Sequence, residues 1–266
     1  MTPAEAMVPV MNVALVLGVA VVMPLAFQRR FTPWQVAALA VAASLAVAPG
    51  WPAGAVLGPW LFLCLVEVVG ALRRKRVANV VMAGFGVTAA LALVASRLEV
   101  TLFEIPEPIV KLTAVHFSYA GVGALSLAQR LVQERPTRAR QLVGGLLMLA
   151  PPIVALGFIT RLALFQVGGA ALMAVGVCGV AVFAALEANR RAAWPHRLLL
   201  LTAASPWVAM ALALAWAANQ YWPAIPALTV VDMVPTHGAL NAFGFILPGH
   251  LAFWLDDRSS AGRTPS

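Results

Sequence analysis

The chain has 266 residues, 62% of them hydrophobic and 11% charged, with 18 Lys and Arg against 10 Asp and Glu. Mean hydropathy is +0.89, more apolar side chain than a soluble domain of this size can bury, so an ordinary soluble globule is excluded and a polytopic membrane protein is expected. The net charge of +8 lies in short basic clusters between apolar runs, which membrane topology explains better than nucleic acid does.

Backbone groups in lipid must satisfy one another, and runs this long do so as helices, so the expected fold class is all-α. Nine spans fit, at about 7–27, 33–49, 53–72, 77–96, 107–128, 141–160, 165–187, 198–219 and 232–255, each a plausible crossing length. They form one transmembrane helical domain over 1–256, followed by a short disordered cytoplasmic tail over 257–266. The first run has no positive charge ahead of it, and Arg29 and Arg30 follow it. It reads as a retained anchor rather than a cleaved leader.

Loop charge sets the expected orientation. Arg29, Arg30, the run Arg73 to Arg76, Arg130, Arg135, Arg138, Arg140, Arg190, Arg191, Arg197, Arg258 and Arg263 fall on one side, which gives 15 of the 18 Lys and Arg. Arg97, Lys111 and Arg161 fall on the other. This alternation places the N-terminus outside and the C-terminus in the cytoplasm of a bacterial inner membrane, with membrane lipid as the surrounding partner. Pro24, Pro151, Pro152, Pro206 and Pro248 lie within spans, where each removes a donor and tends to kink its helix. Cys64 and Cys178 read as small core residues.

Polar groups inside spans are costly, so they mark candidate sites. The last span, Asp232 to Trp254, keeps Asp232, Thr236, His237, Asn241 and His250. His237 and Asn241 are one turn apart on one face, within roughly 8–14 Å of the outer end at 1.5 Å per residue. Asp232 is suited to cap the helix or to orient a histidine. His250, nearer the cytoplasmic end, is expected to pack. In the fifth span His116, Tyr119 and Gly123 fall on one stripe, with His116 about 12 Å below the outer end. Gly121 and Gly123 allow a neighbouring helix to approach closely. Lys111 and Glu107 have the spacing of a helix-surface ion pair, as do Glu187 and Arg190 or Arg191. Glu67 is the lone carboxylate well inside a span. It either pairs with a basic residue of another helix or acts as a proton-bearing acid in a low-dielectric site.

Phosphate loops, His-Glu-x-x-His, Gly-x-Ser-x-Gly and aspartate-rich prenyl-diphosphate motifs are missing from the sequence. Two histidines with Asp232 or Glu67 could bind zinc in principle, but their spacing is not diagnostic, so neither a metal nor a cofactor is expected. The expected catalytic set is Glu67, His116, Asp232 and His237, with Tyr119, Thr236 and Asn241 binding substrate. Glu67 or Asp232 would donate a proton and a histidine would accept one. The expected substrate is lipid-soluble and isoprenoid-like, and cyclisation or isomerisation are the reactions that fit. A transporter of a small solute or lipid is the alternative. Nucleic acid is not an expected partner.

Two segments, Thr113-Ala-Val-His-Phe-Ser-Tyr-Ala-Gly121 and His237-Gly-Ala-Leu-Asn-Ala-Phe-Gly-Phe245, resemble the bacterial YndJ-like membrane protein family. The resemblance implies most of the chain and supports His116, His237 and Asn241. It implies no reaction, although the family is sometimes described as transporter-like. A looser analogy connects the chain to small all-helical terpene cyclases, similar in size and using buried carboxylates as acids.

Overall fold

A computed structural model describes residues 3–101 and 103–261, with side chains over 7–101 and 103–259. The chain is 83% helical, with no strand among the described residues. The helices are α1 (Met7–Ala26), α2 (Phe31–Ala46), α3 (Trp51–Arg73), α4 (Val77–Arg97), α5 (109–134), α6 (Arg138–Thr160), α7 (Ala163–Ala188), α8 (Ala193–Asn219) and α9 (Val230–Ser259). Among the described residues, seven of these are long and apolar enough to cross a membrane. The second expected span, α2, is a shorter apolar helix, and the fifth, α5, is long but is not one of the seven.

The residues sort into two compact units. The first holds α1 to α4, α5 as far as Ser126, and 158–161. Its core is built on Leu15, Met23, Trp34, Leu57, Trp60 and Leu93, all buried. The Trp60 indole N–H donates to Met23 Sδ at 3.2 Å. Phe27 stacks on Trp34 with ring centroids 5.6 Å apart. At the other end of the unit, the Pro49-Gly50-Trp51-Pro52 turn is fixed by Arg97. Its guanidinium donates to Val47 O at 2.5 Å, and its carbonyl accepts from Gly50 N at 2.7 Å. Gly50 has φ +139°, a conformation that a side chain would strain.

The second unit holds residues 127–157 and 162–266. There α7 turns glycines toward α6. A Cβ at Gly176 would lie 2.9 Å from Leu147, and one at Gly179 would lie 2.5 Å from Val143. Small residues at such contacts let backbones approach, the packing that works without a hydrophobic drive between helices. In turn α8 packs on both α7 and α9. The outward faces of both units are apolar, with Leu39, Phe62, Leu142, Leu149 and Trp207 all exposed. So much exposed large apolar surface suits contact with lipid.

The tail was expected to begin at residue 257. Helix continues to Ala261, because Asp257 pairs with Arg130, Asp256 with Arg191, and Arg258 lies over the Trp254 ring. Residues 262–266 lie outside the described residues.

Candidate functional site

Three helices widen from α to π geometry: α1 at Gly18–Val22, α5 at Phe117–Gly123, and α9 at Val234–Gly238 and Leu240–Ile246. The two segments singled out in the sequence, in α5 and α9, overlap three of these four stretches. Such bulges recur at functional sites because they shift side-chain register and loosen the carbonyl ladder. In α1 and α9 the widening lies beside proline. Pro24 lies two residues beyond one stretch, Pro235 lies within another and Pro248 lies two residues beyond the last, each without an N–H to donate. By contrast, α6 stays α-helical through Pro151 and Pro152, as α8 does through Pro206.

In the first unit the widened parts of α1 and α5 meet. A Cβ on Gly18 would lie 3.2 Å from the Tyr119 ring, and one on Gly121 would lie 2.9 Å from Phe85 Cβ, so the close approach expected of Gly121 is present. Tyr119 is buried and its hydroxyl donates to Ala14 O at 2.9 Å. It ties α5 to α1, where the sequence reading had it bind substrate. His116 is exposed, so His116 and Tyr119 do not share the expected stripe. The widened turn begins at Phe117, and the 3.6-residue period does not carry through it. Lys111 donates to Asn12 Oδ1 at 2.6 Å.

Glu67 pairs with a basic residue of another segment, one of the two roles its sequence left open. Arg29 Nε reaches Oε1 at 2.7 Å and Nη2 reaches Oε2 at 3.0 Å. This fork-to-fork geometry is the strong form of the pair. Arg29 is placed by the end of α1, where Gln28 takes φ +54°. Arg29 N then bonds Pro24 O and Gln28 N bonds Leu25 O, a Schellman closure with glutamine where glycine is usual. The bonded Glu67 carboxylate holds the Arg29 guanidinium above its ordinary pKa.

In the second unit α9 starts on a cap that differs from the expected one. Thr229 is the N-cap, its hydroxyl oxygen accepting from Asp232 N at 3.3 Å and its O–H donating to Asp232 Oδ2 at 2.6 Å. Asp232 therefore sits three residues inside the cap it was expected to form, bonded twice to the Thr229 hydroxyl. Thr236 is exposed, and its hydroxyl donates to Asp232 O at 2.6 Å.

His237 and Asn241 are neighbours, as their spacing implies. His237 Nδ1 lies 2.7 Å from Ala209 O on α8. A carbonyl only accepts, so Nδ1 carries the proton and, in the neutral ring, Nε2 keeps its lone pair. The Asn241 amide donates to His237 O at 3.0 Å, and its nitrogen lies 3.3 and 3.4 Å from the two ring nitrogens. With Nδ1 already donating, the second amide proton has only Nε2 to approach, and at that distance the contact is weak. His237 is thus oriented by α8 and braced by its own helix. Close packing of α9 on α8 sets this geometry: a Cβ on Gly244 would lie 2.4 Å from Ser205 Oγ.

The sequence reading missed the hub around Glu187. It anticipated helix-end pairs with Arg190 and Arg191, but the nearest partner is Arg140, at 2.6 Å, with both side chains buried. Arg190 is at 3.4 Å, and Arg135 and Arg191 are at 3.8 Å. Arg140 also donates to Leu131 O at 2.6 Å. Burial works against the Arg191 charge, but its bonds to Glu134 and Asp256 more than offset that, so its pKa is raised. The Phe253 ring meets Arg130 and Arg191 at 5.2 and 5.6 Å. The sequence signal was present in the basic run 130–140, yet nothing in spacing joins Arg140 to Glu187 across 47 residues. No group of three or more His, Cys, Asp or Glu able to hold a metal occurs among the described residues.

These helices and their apolar outer faces define a membrane-type, all-helical protein. The family described as YndJ-like protein matches residues 7–245, and the chain belongs to that family. No curated protein and no solved structure matches it.

Proposed function

We propose that this YndJ-like chain is a multi-pass protein of the bacterial cytoplasmic membrane that performs acid–base chemistry on a lipid-soluble, isoprenoid-like substrate, with His237 as the base. The observation that carries this reading is the 2.7 Å bond from His237 Nδ1 to Ala209 O. It fixes the tautomer and leaves Nε2 as the basic atom, the arrangement a general base needs. Asn241 positions the ring. Substrate reaches the site laterally from the bilayer, since the outward helix faces are apolar.

The same geometry favours isomerisation over cyclisation. Glu67 is committed to Arg29 and Asp232 to its cap, so neither is a convenient proton donor. One imidazole suffices when Nε2 removes a proton from a carbon next to a carbonyl and returns it to another carbon, shifting the double bond with no net gain or loss of atoms. A transporter is the second reading. The proline-flanked widening of α1 and α9 is favourable to it, because interrupted helices build many transport sites.

The test is lipid profiling of cells carrying wild-type, His237→Ala or His237→Gln protein. Accumulation of one lipid in both variants, with wild-type protein levels, supports the enzyme. Unchanged lipids together with a loss of solute uptake would overturn it in favour of the transporter.

A further inference from the structure

Several arginines of the second unit are paired with acids, whereas one exposed basic run of the first has no ion pair among the described residues. In the second, Arg130, Arg140, Arg190 and Arg191 each have an acidic partner among Glu134, Glu187, Asp256 and Asp257. In the first, α3 ends and α4 begins at Arg73, Arg74, Lys75 and Arg76, all exposed. The Arg29–Glu67 bridge forms one and a half turns before Arg73 and brings the α1–α2 turn, with exposed Arg30, to the same end. Glu67 is the acid at that end, and it is already spent on Arg29. Glu99, Glu104 and Glu107 belong to the α4–α5 loop at the opposite end of α4.

We propose that Arg30 and Arg73–Arg76 form a binding site for the headgroup of an anionic phospholipid, whose acyl chains lie along the outer face of α3. Four successive cations close a 23-residue apolar helix, so they stand at the height of lipid phosphates. Basic clusters at that position attract anionic headgroups. Directly beside them Val69, Leu72 and Val77 are 48%, 56% and 72% exposed. An acidic polypeptide would neutralise the charge but leave these side chains uncovered, whereas a lipid satisfies both surfaces. Left-handed backbone at Lys75 (φ +53°) turns the chain between α3 and α4 and keeps the four cations together.

The test uses the full chain in an uncharged detergent, with retained lipid counted by native mass spectrometry on titration with phosphatidylglycerol or phosphatidylcholine. Each surface cation is worth about fivefold in affinity. The variant R73Q/R74Q/K75Q/R76Q is therefore expected to lose phosphatidylglycerol at least about tenfold relative to wild type. R73K/R74K/R76K, which keeps charge and topology, retains it, as does R135Q/R138Q in the other unit. Wild-type retention by the glutamine variant, equal loss in R135Q/R138Q, or equal retention of phosphatidylcholine would overturn the proposal. If the glutamine variant does not fold, wild type decides. Phosphatidylglycerol that survives millimolar inorganic phosphate supports a lipid site, and complete displacement by phosphate overturns it. Capture of an acidic peptide in place of lipid overturns it too.

Discussion

Gly244→Ala tests how α9 is seated on α8. The added Cβ would lie 2.4 Å from Ser205 Oγ and 2.8 Å from Ser205 Cβ. The hydroxyl can rotate away from its bond to Leu201 O, but the Cβ is fixed to the backbone, so the helices must separate by several tenths of an ångström. Overpacking of this kind costs about 1–3 kcal/mol, and the gain in helix propensity from Gly to Ala returns at most about 1 kcal/mol. The net expectation is a loss of about 1 kcal/mol on those terms. Gly244 lies two turns beyond His237, so the same separation lengthens the His237–Ala209 bond of 2.7 Å toward the limit of a hydrogen bond. Ser205→Gly removes both clashing atoms. The double variant is therefore expected to recover most of the loss, with a coupling of about 1 kcal/mol in a double-mutant cycle. Reversible unfolding in mixed detergent micelles measures all four proteins. A Gly244→Ala protein as stable as wild type, or a Ser205→Gly background that rescues nothing, would refute the close contact.

Other perturbations follow the same logic. Arg140→Met leaves the buried Glu187 with its more distant, more exposed partners and is expected to cost about 3 kcal/mol, whereas R140M/E187L returns to within about 1 kcal/mol of wild type; an equally unstable double variant would show that the pair itself contributes little to the loss. Glu67→Gln keeps one arm of the Arg29 contact and is expected to cost about 1 kcal/mol, discounted for the exposure of Arg29, with an unchanged lipid profile; a profile matching that of His237→Ala would restore Glu67 as an acid. Gln28→Gly relieves the left-handed turn at φ +54° and is expected to stabilise by about 0.5 kcal/mol, read as a higher Tm; a lower Tm would mean that the glutamine side chain holds the turn.

Helical class and the long apolar helices were legible because mean hydropathy and run length are local properties of the chain. His237 and Asn241 were legible for the same reason, since one helical turn joins them. The stripe of His116 and Tyr119 was not, because widening from Phe117 onward changes the period on which such stripes are drawn. Nothing in α5 announces that widening except its glycines. The bond made by the Tyr119 hydroxyl was not legible either, because its partner is a backbone carbonyl 105 residues away. Ala209 was likewise invisible: an alanine carbonyl has no side-chain signature, yet it decides which nitrogen of His237 carries the proton. Glu67 was flagged as a costly charge and Glu187 as a helix-end ion pair, but the arginines nearest to them, Arg29 and Arg140, depend on tertiary pairing. The cap of α9 fell on Thr229, whose hydroxyl accepts from Asp232 N and donates to Asp232 Oδ2, so Asp232 stands within the first turn and not at the cap.

The proton on His237 can be observed directly. The chain has 4 histidines, so the ring ¹⁵N spectrum of histidine-labelled protein in lipid, compared with that of His237→Asn, isolates one imidazole. The expected result is a protonated Nδ1 and a bare Nε2 that returns to the pool of Nε2–H forms when α8 and α9 are pushed apart by Gly244→Ala. A His237 ring carrying its proton on Nε2 in the wild-type protein would contradict the bond to Ala209, and with it the assignment of His237 as the base.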